Sequence, residues 1–353
     1  MAAKQGTTRR EMLKGAASAA AAGSLSGIAG CFPSVGGEWA QCESPAATPV
    51  EGTSQVVDVQ RDDSLIQVTA ASGKSVLQVQ PDVVQTMVDT ALSSLASGAD
   101  NPWLALLPTY EPGMRIGLKV NCLNSKLPTS PVVVRAIIRS LITKLGVDAS
   151  TIVVWDRRLD ELTTAGKYAE EDLQGARLMG TVNSTTDPSG PGYDSAACGV
   201  VAGSTPKLSR ILTQETDITI NCPVLKSHGV SGVTGALKNI YGIIDIPGNY
   251  HKNLPTALPA LYNLPAIRDS IKLTIVDALQ AVTMRDTQDP PDSRPNRILA
   301  STDPLALDRY ALDLVNQLRA ARSVPPIEGP LLGWLDRGYE LGLGARNYSL
   351  LTP

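Results

Sequence analysis

Short runs of β-branched and aliphatic residues, separated by helical periodicities and by Gly- and Pro-rich breaks, set the reading of this chain. Residues 114–122 and 151–156 read as strands, the second nearly all apolar, and 217–221, 272–277 and 297–300 read as three more. A strand covered on both faces has no need to alternate, so continuous apolar runs mark parallel strands in a buried sheet. Helical spacing predicts helices over 81–96, opened by Pro81, and 130–145, closed by Gly146. Proline fits the first helical turn, and glycine fits the left-handed position after the last. A further helix opens at Pro304 and runs to 322, with shorter helical pieces at 170–178, 233–240 and 262–269. Residues 65–68 and 76–79 predict a hairpin. The segment 180–206 is too rich in Gly, Ser, Asp and Pro to assign, and the tail past Trp334 reads as a terminal helix and loops. This alternation predicts an α/β fold, a mostly parallel sheet flanked by helices with irregular long loops.

The first 31 residues read as an address. Thr8-Arg9-Arg10-Glu11-Met12-Leu13-Lys14 precedes the mild apolar run GAASAAAAGSLSGIAG. That order resembles a twin-arginine export signal, with Thr8 and Met12 as conservative departures from its usual wording, and the run is too short for a permanent span. Ile28-Ala29-Gly30-Cys31 has the form of a lipobox, in which Cys31 would carry lipid and be the chain's one membrane contact. Ordinary cleavage with release into the periplasm is the alternative. Either way the expected location is the periplasm or cell envelope. Residues 32–55, rich in Pro, Ser, Gly and Ala, predict a flexible tether, and 56–353 the α/β domain.

Composition narrows the partners. The formal charge is -3 with no long basic run, and aromatics are 4% with a single Phe. That leaves neither a phosphate-backbone footprint nor a base-stacking platform, which argues against nucleic acid. The cysteines Cys42, Cys122, Cys198 and Cys222 are widely spaced, unlike a thioredoxin-type pair or a ferredoxin cluster.

In a parallel sheet the ligand crevice lies beyond the carboxyl ends of the strands. The polar residues there are Lys119, Asn121 and Cys122, then Asp156 and Arg157, then Asn221 and Cys222, and Asp277. The stretch from 217 to 251 holds both histidines of the chain, His228 and His251, with Lys226, Lys238 and Asn239. Lys226 and His228 are two apart, so an extended backbone would aim both into one cavity. There, lysine supplies a point charge for an anion and histidine a proton near neutral pH. Lys238 and Asn239 could face a carboxylate or phosphate oxygen, or simply cap a helix. Asp156 and Asp277 could orient a lysine or histidine. Cys122, Cys222, His228 and His251 would form a plausible zinc or copper set; unrelated buried thiols, or a disulfide, are the alternatives. Neither a Walker sequence nor a GxSxG elbow is present.

Several motifs together resemble a known family. They are Lys119-Val120-Asn121-Cys122, Thr129-Ser130-Pro131, Ile220-Asn221-Cys222-Pro223-Val224-Leu225-Lys226-Ser227-His228, Val233 through Gly242, and Asp303-Pro304-Leu305-Ala306-Leu307-Asp308. They are similar to the domain of unknown function numbered 362, across residues 110–315. The resemblance implies an α/β domain in which Lys119, Asn121, Asn221, Pro223, Lys226, His228, Lys238, Asn239 and Gly242 share one pocket. Cys122 and Cys222 depart from the family wording. The association of some members with ferredoxin-like modules implies redox or metal chemistry and a separate redox partner.

The expected function is that of an exported enzyme acting on a small anionic molecule, a carboxylate or phosphate. Lys119, Lys226 and Lys238 would clamp the anion, Asn121 and Asn221 would orient it, and His228 would move a proton. A divalent or transition metal and oxidoreductase chemistry form one subclass. A non-catalytic periplasmic binding or structural lipoprotein is the rival.

Overall fold

The computed structural model describes residues 48–195 and 199–353. The export signal, the lipobox with Cys31, most of the tether, Cys42 and Cys198 lie outside the described residues. Residues 50–55, expected within the tether, instead form the first half of strand β1 (Val50–Gln60).

A hairpin of β2 (Leu65–Thr69) and β3 (Ser75–Val79) follows, as predicted. The main sheet is then built from β4 (Ile116–Lys119), β5 (Ile152–Arg158), β6 (Arg177–Val182), β9 (Ile218–Asn221), β10 (Val224–His228), β11 (Gly232–Thr234), β12 (Ile271–Val282), β13 (Arg297–Ser301) and β14 (Ala345–Leu351). Two short strands, β7 (Tyr193–Asp194) and β8 (Leu208–Ser209), pair off the sheet. The order is β14-β1-β13-β12-β9-β4-β5-β6, with β10 beside β12 and β11 beside β10. β12, β9, β4, β5 and β6 are mutually parallel. β13 is antiparallel to both its neighbours, and β14 is parallel to β1.

Both faces of the sheet are covered, which explains the unbroken apolar runs. On β5, Ile152 and Val154 join one core and Val153 and Trp155 the other, as a two-residue period requires. One core takes helices α1 (Pro81–Leu95), α2 (Pro102–Leu106) and α3 (Pro131–Ser140). The other takes α4 (Leu254–Tyr262), α5 (Pro265–Arg268), α6 (Pro304–Ala320) and α7 (Gly333–Glu340). The caps follow local chemistry. The Ser130 hydroxyl accepts from Val132 N at 3.3 Å, and Asp303 accepts from Leu305 N and Ala306 N. Past α3 the chain makes one wide turn and stops at Gly146, with φ +75°.

Three readings are corrected. Residues 170–178 hold only a short turn before β6, because Arg177–Val182 completes the parallel edge. The stretch 233–240 is not a helix: Gly232–Thr234 pairs antiparallel with β10, and a 3₁₀ turn over Lys238–Ile243 follows. The tail contributes strand β14, paired with β1, where loops were expected after the helix. No helix among the described residues is long and apolar enough to cross a membrane.

Candidate functional site

The parallel strands β4, β5 and β9 end at the same edge, with Lys119 opposite both Trp155 and Asn221 in register. β10 then leaves this edge and runs beside the far half of β12, with Lys226 opposite Val282. Its alternation puts Val224, Lys226 and His228 on one side. A cavity of about 210 Å³ opens there, lined by residues that include Asn121, Asp156, Lys226, His228, Lys238, Asn239 and His251. The strand-end rule accounts for Asn121 and Asp156 and the two-residue spacing for Lys226 and His228, and Lys238, Asn239 and His251 join them from the turns that follow.

Amides connect the two sides of the floor. Lys226 Nζ donates to Asn121 Oδ1 at 3.0 Å, and Asn121 Nδ2 donates to Asn239 Oδ1 at 3.1 Å. Asn239 Nδ2 donates to Asn221 Oδ1 at 2.8 Å, and Asn221 Nδ2 to Ala236 O at 2.9 Å. Asn221 is therefore fully buried beneath the floor, a strut for Asn239 and not a group that meets a ligand.

Lys119 is also corrected. It is withdrawn from solvent and is not among the cavity-lining residues. Its Nζ lies 2.7 Å from Asp156 Oδ1 and donates to Val120 O at 2.6 Å. Asp156 accepts in addition from Cys122 N and Arg157 N, both at 2.8 Å. With its charge answered, Lys119 cannot clamp an anion. Asp277 is likewise structural: it accepts from Ser130 N at 2.8 Å and Leu279 N at 3.1 Å, fixing the entry to α3. Burial pushes its carboxyl up to about 6.

The four-residue metal set does not assemble. Cys122 and Cys222 are unpaired buried thiols in the hydrophobic core, and neither lines the cavity with the histidines. Burial pushes the Cys222 thiol up to about 12 and that of Cys122 well above its usual range, so thiolate, the form that binds metal, is disfavoured. Among the described residues no group of three or more His, Cys, Asp or Glu is arranged to hold an ion.

The histidines hold opposite tautomers by virtue of their partners. His228 Nδ1 accepts from the backbone N–H groups of Val230 and Ser231 at 3.1 and 3.3 Å, which leaves the proton on Nε2. His251 Nδ1 lies 3.0 Å from Pro247 O, which can only accept, so the proton is on Nδ1 and Nε2 keeps its lone pair. The rings stack with centroids 6.0 Å apart. Burial, then the Lys238 charge, lowers His228 to about 4 and depresses His251.

Lys238 Nζ lies 3.4 Å from His251 Nε2 and 3.5 Å from the Tyr241 ring centroid. Residues three apart eclipse in a 3₁₀ turn, which stacks Tyr241 against Lys238. Tyr241 is a site residue that sequence reasoning missed, though the Lys-x-x-Tyr spacing carried the signal. Arg157, read only as a strand-end residue, also lines the cavity, as does Glu161, which pairs with Arg158 at 3.0 Å. The Arg157 guanidinium donates through one Nη to Asp245 O, and its buried Nε has no hydrogen-bond partner among the described residues.

An acid outside the cavity holds its frame. Asp308 accepts from Ala236 N at 2.5 Å and Leu237 N at 2.9 Å, anchoring the turn that presents Lys238. Gly235 allows this, since a Cβ there would lie 1.9 Å from Asp308 Oδ1.

No curated protein matches the sequence. Solved structures that the chain resembles include two of low identity. One is the lactate racemase apoprotein from Thermoanaerobacterium thermosaccharolyticum, at 11% identity and TM-score 0.43, covering 72% of this chain and 62% of that one. The other is a structural-genomics target from Thermotoga maritima, at 13% identity and TM-score 0.41, covering 68% of this chain and 59% of that one. The chain thus spans less than two thirds of either structure. Residues 116–313, which carry every strand and loop of the cavity, match the family described as domain of unknown function DUF362, and the chain belongs to that family.

Proposed function

We propose that this protein is an enzyme of the cell envelope that binds a small carboxylate or phosphate in the cavity and moves a proton within it. One observation carries the reading. Lys226 and Lys238 are 2% and 8% exposed, both line the same cavity, and neither has a carboxylate partner among the described residues. Burying an ammonium costs several kcal/mol unless an opposite charge answers it. Burial accordingly lowers Lys226 to about 8 and Lys238 to about 7. A bound anion would supply the missing charge and restore both ammonium groups. The fold answers the charge of Lys119 with Asp156 and leaves these two for a ligand.

The neutral histidines support proton transfer. His228 offers Nε2–H as a hydrogen-bond donor to an oxygen gaining charge, and His251 offers an Nε2 lone pair as a base, both by the same wall. The export-like N-terminal sequence supports the location. A metal ion or a separate redox partner finds less support, because the thiols lie away from the histidines.

The test is calorimetric titration of the full chain, purified without chelators, with phosphate and a panel of small carboxylates. Wild type should bind at least one of them, and Lys226→Met should bind it far more weakly. Equal affinity in both proteins would overturn the reading. Tight binding with no turnover across a broad panel would favour the rival, a binding lipoprotein.

A further inference from the structure

We propose that Lys238 is a nucleophile that forms an imine with the carbonyl carbon of a small 2-oxo acid, while Lys226 grips the carboxylate of the same molecule. The inference rests on the anion-site reading above and names its substrate class.

Three buried lysines meet this edge of the sheet, and each has been given different company. Lys119 is bound to a carboxylate and a carbonyl oxygen, which take two of its three protons. Lys226 is bound to the Asn121 amide oxygen, which orients the ammonium and leaves N–H groups for an anion. Lys238 has neither a carboxylate nor a carbonyl acceptor among the described residues. Its neighbours are a basic ring nitrogen, His251 Nε2 at 3.4 Å, and the face of Tyr241. An amine attacks carbon only after losing a proton. Of the two lysines that no carboxylate answers, only Lys238 sits beside a group that can take one. Burial without a counter-charge favours the free amine, bringing Lys238 to about 7.

The step balances without an oxidant or reductant. The ammonium proton passes from Lys238 to His251 Nε2. The Nζ lone pair forms the C–N bond as the carbonyl π pair moves to oxygen, and a second Nζ proton passes to that oxygen to give a carbinolamine. His251 returns its proton to the hydroxyl, the C–O bond breaks, water leaves and the iminium remains. The Pro247 carbonyl, holding His251 Nδ1–H at 3.0 Å, keeps the ring in the tautomer that can shuttle. A carboxylate held by Lys226 would place the adjacent carbonyl within the cavity that Lys238 lines.

The experiment incubates the full chain with pyruvate or glyoxylate and sodium cyanoborohydride, then maps peptides by mass spectrometry. The expected result is an adduct on Lys238 with the mass of the acid less one oxygen atom. It should be lost in Lys238→Arg and suppressed by competing phosphate. Calorimetry with the same acids is run alongside. Binding without an adduct on Lys238, or an adduct spread over surface lysines, overturns the imine and leaves the anion site standing. Neither binding nor adduct for these acids, with phosphate bound normally, overturns the substrate class. No binding of any anion removes both readings.

Discussion

Lys119 Nζ lies 2.7 Å from Asp156 Oδ1, on neighbouring parallel strands, and both side chains are almost wholly withdrawn from water. The pair forms the base on which the cavity is built, since Asp156 also holds the backbone of Cys122 and Arg157. Removing one partner of a buried pair leaves an unanswered charge, which costs about 3–5 kcal/mol. Asp156→Asn should therefore lose that much stability in urea unfolding. Lys119→Met combined with Asp156→Leu should recover a large part of it. Equal losses in the single and double variants would show that charge pairing is not what the site supplies.

Gly242 covers this pair. A Cβ there would lie 2.6 Å from Lys119 Nζ and 2.7 Å from Asp156 Oδ1. A lysine tip can usually move aside, but this one is held by two acceptors in a closed space. Overpacking of this kind costs about 1–3 kcal/mol. Gly242→Ala should lower the melting temperature accordingly, and an unchanged melting curve would place the ammonium elsewhere.

Anion affinity should fall as pH rises through about 7 and then about 8, where Lys238 and Lys226 lose their protons in the empty cavity. Bound anion raises both values, so the fall is shifted upward at saturating ligand. His228 is pushed down to about 4 and adds no step between these limits. Titrations from pH 6 to 9 check this. In Lys226→Met the upper step should vanish and the remaining affinity be weak.

Without ligand, the same lysines make stability rise with pH. Unfolded lysine keeps its proton up to 10.5, whereas folded Lys226 loses it near 8. Between those values the unfolded state binds more protons, so raising pH favours the fold. Asp308 acts in the opposite sense. Burial raises it from 3.8 to about 7, so the folded state holds more protons in that window and stability falls as pH rises through it. Urea midpoints of wild type and Lys226→Met should converge between pH 8 and 10.5. Parallel curves would mean that Lys226 is not desolvated.

Much of the frame was legible because it depends on local pattern. Apolar runs marked the strands, Pro and Gly marked helix ends, and strand ends marked the polar edge. The failures were of another kind. Val224–His228 and Gly232–Thr234 were invisible as strands because a glycine-rich, mixed stretch has no clear period, and only pairing with β12 and with each other makes them strands. Tyr241 was missed because the helix expected over 233–240 stops short of it, whereas the 3₁₀ turn runs from Lys238 to Ile243 and includes it.

The sequence by itself determined the central strands of the sheet, its principal helices and most of the polar residues that one edge must carry. Only the tertiary structure decided the duties of the lysines. Lys119, Lys226 and Lys238 are chemically alike, and their difference lies in what stands within a few ångströms: Asp156, the Asn121 amide, or an imidazole lone pair. Those neighbours come from distant parts of the chain, and electrostatics in a buried site is set by spatial distance, which sequence separation does not encode.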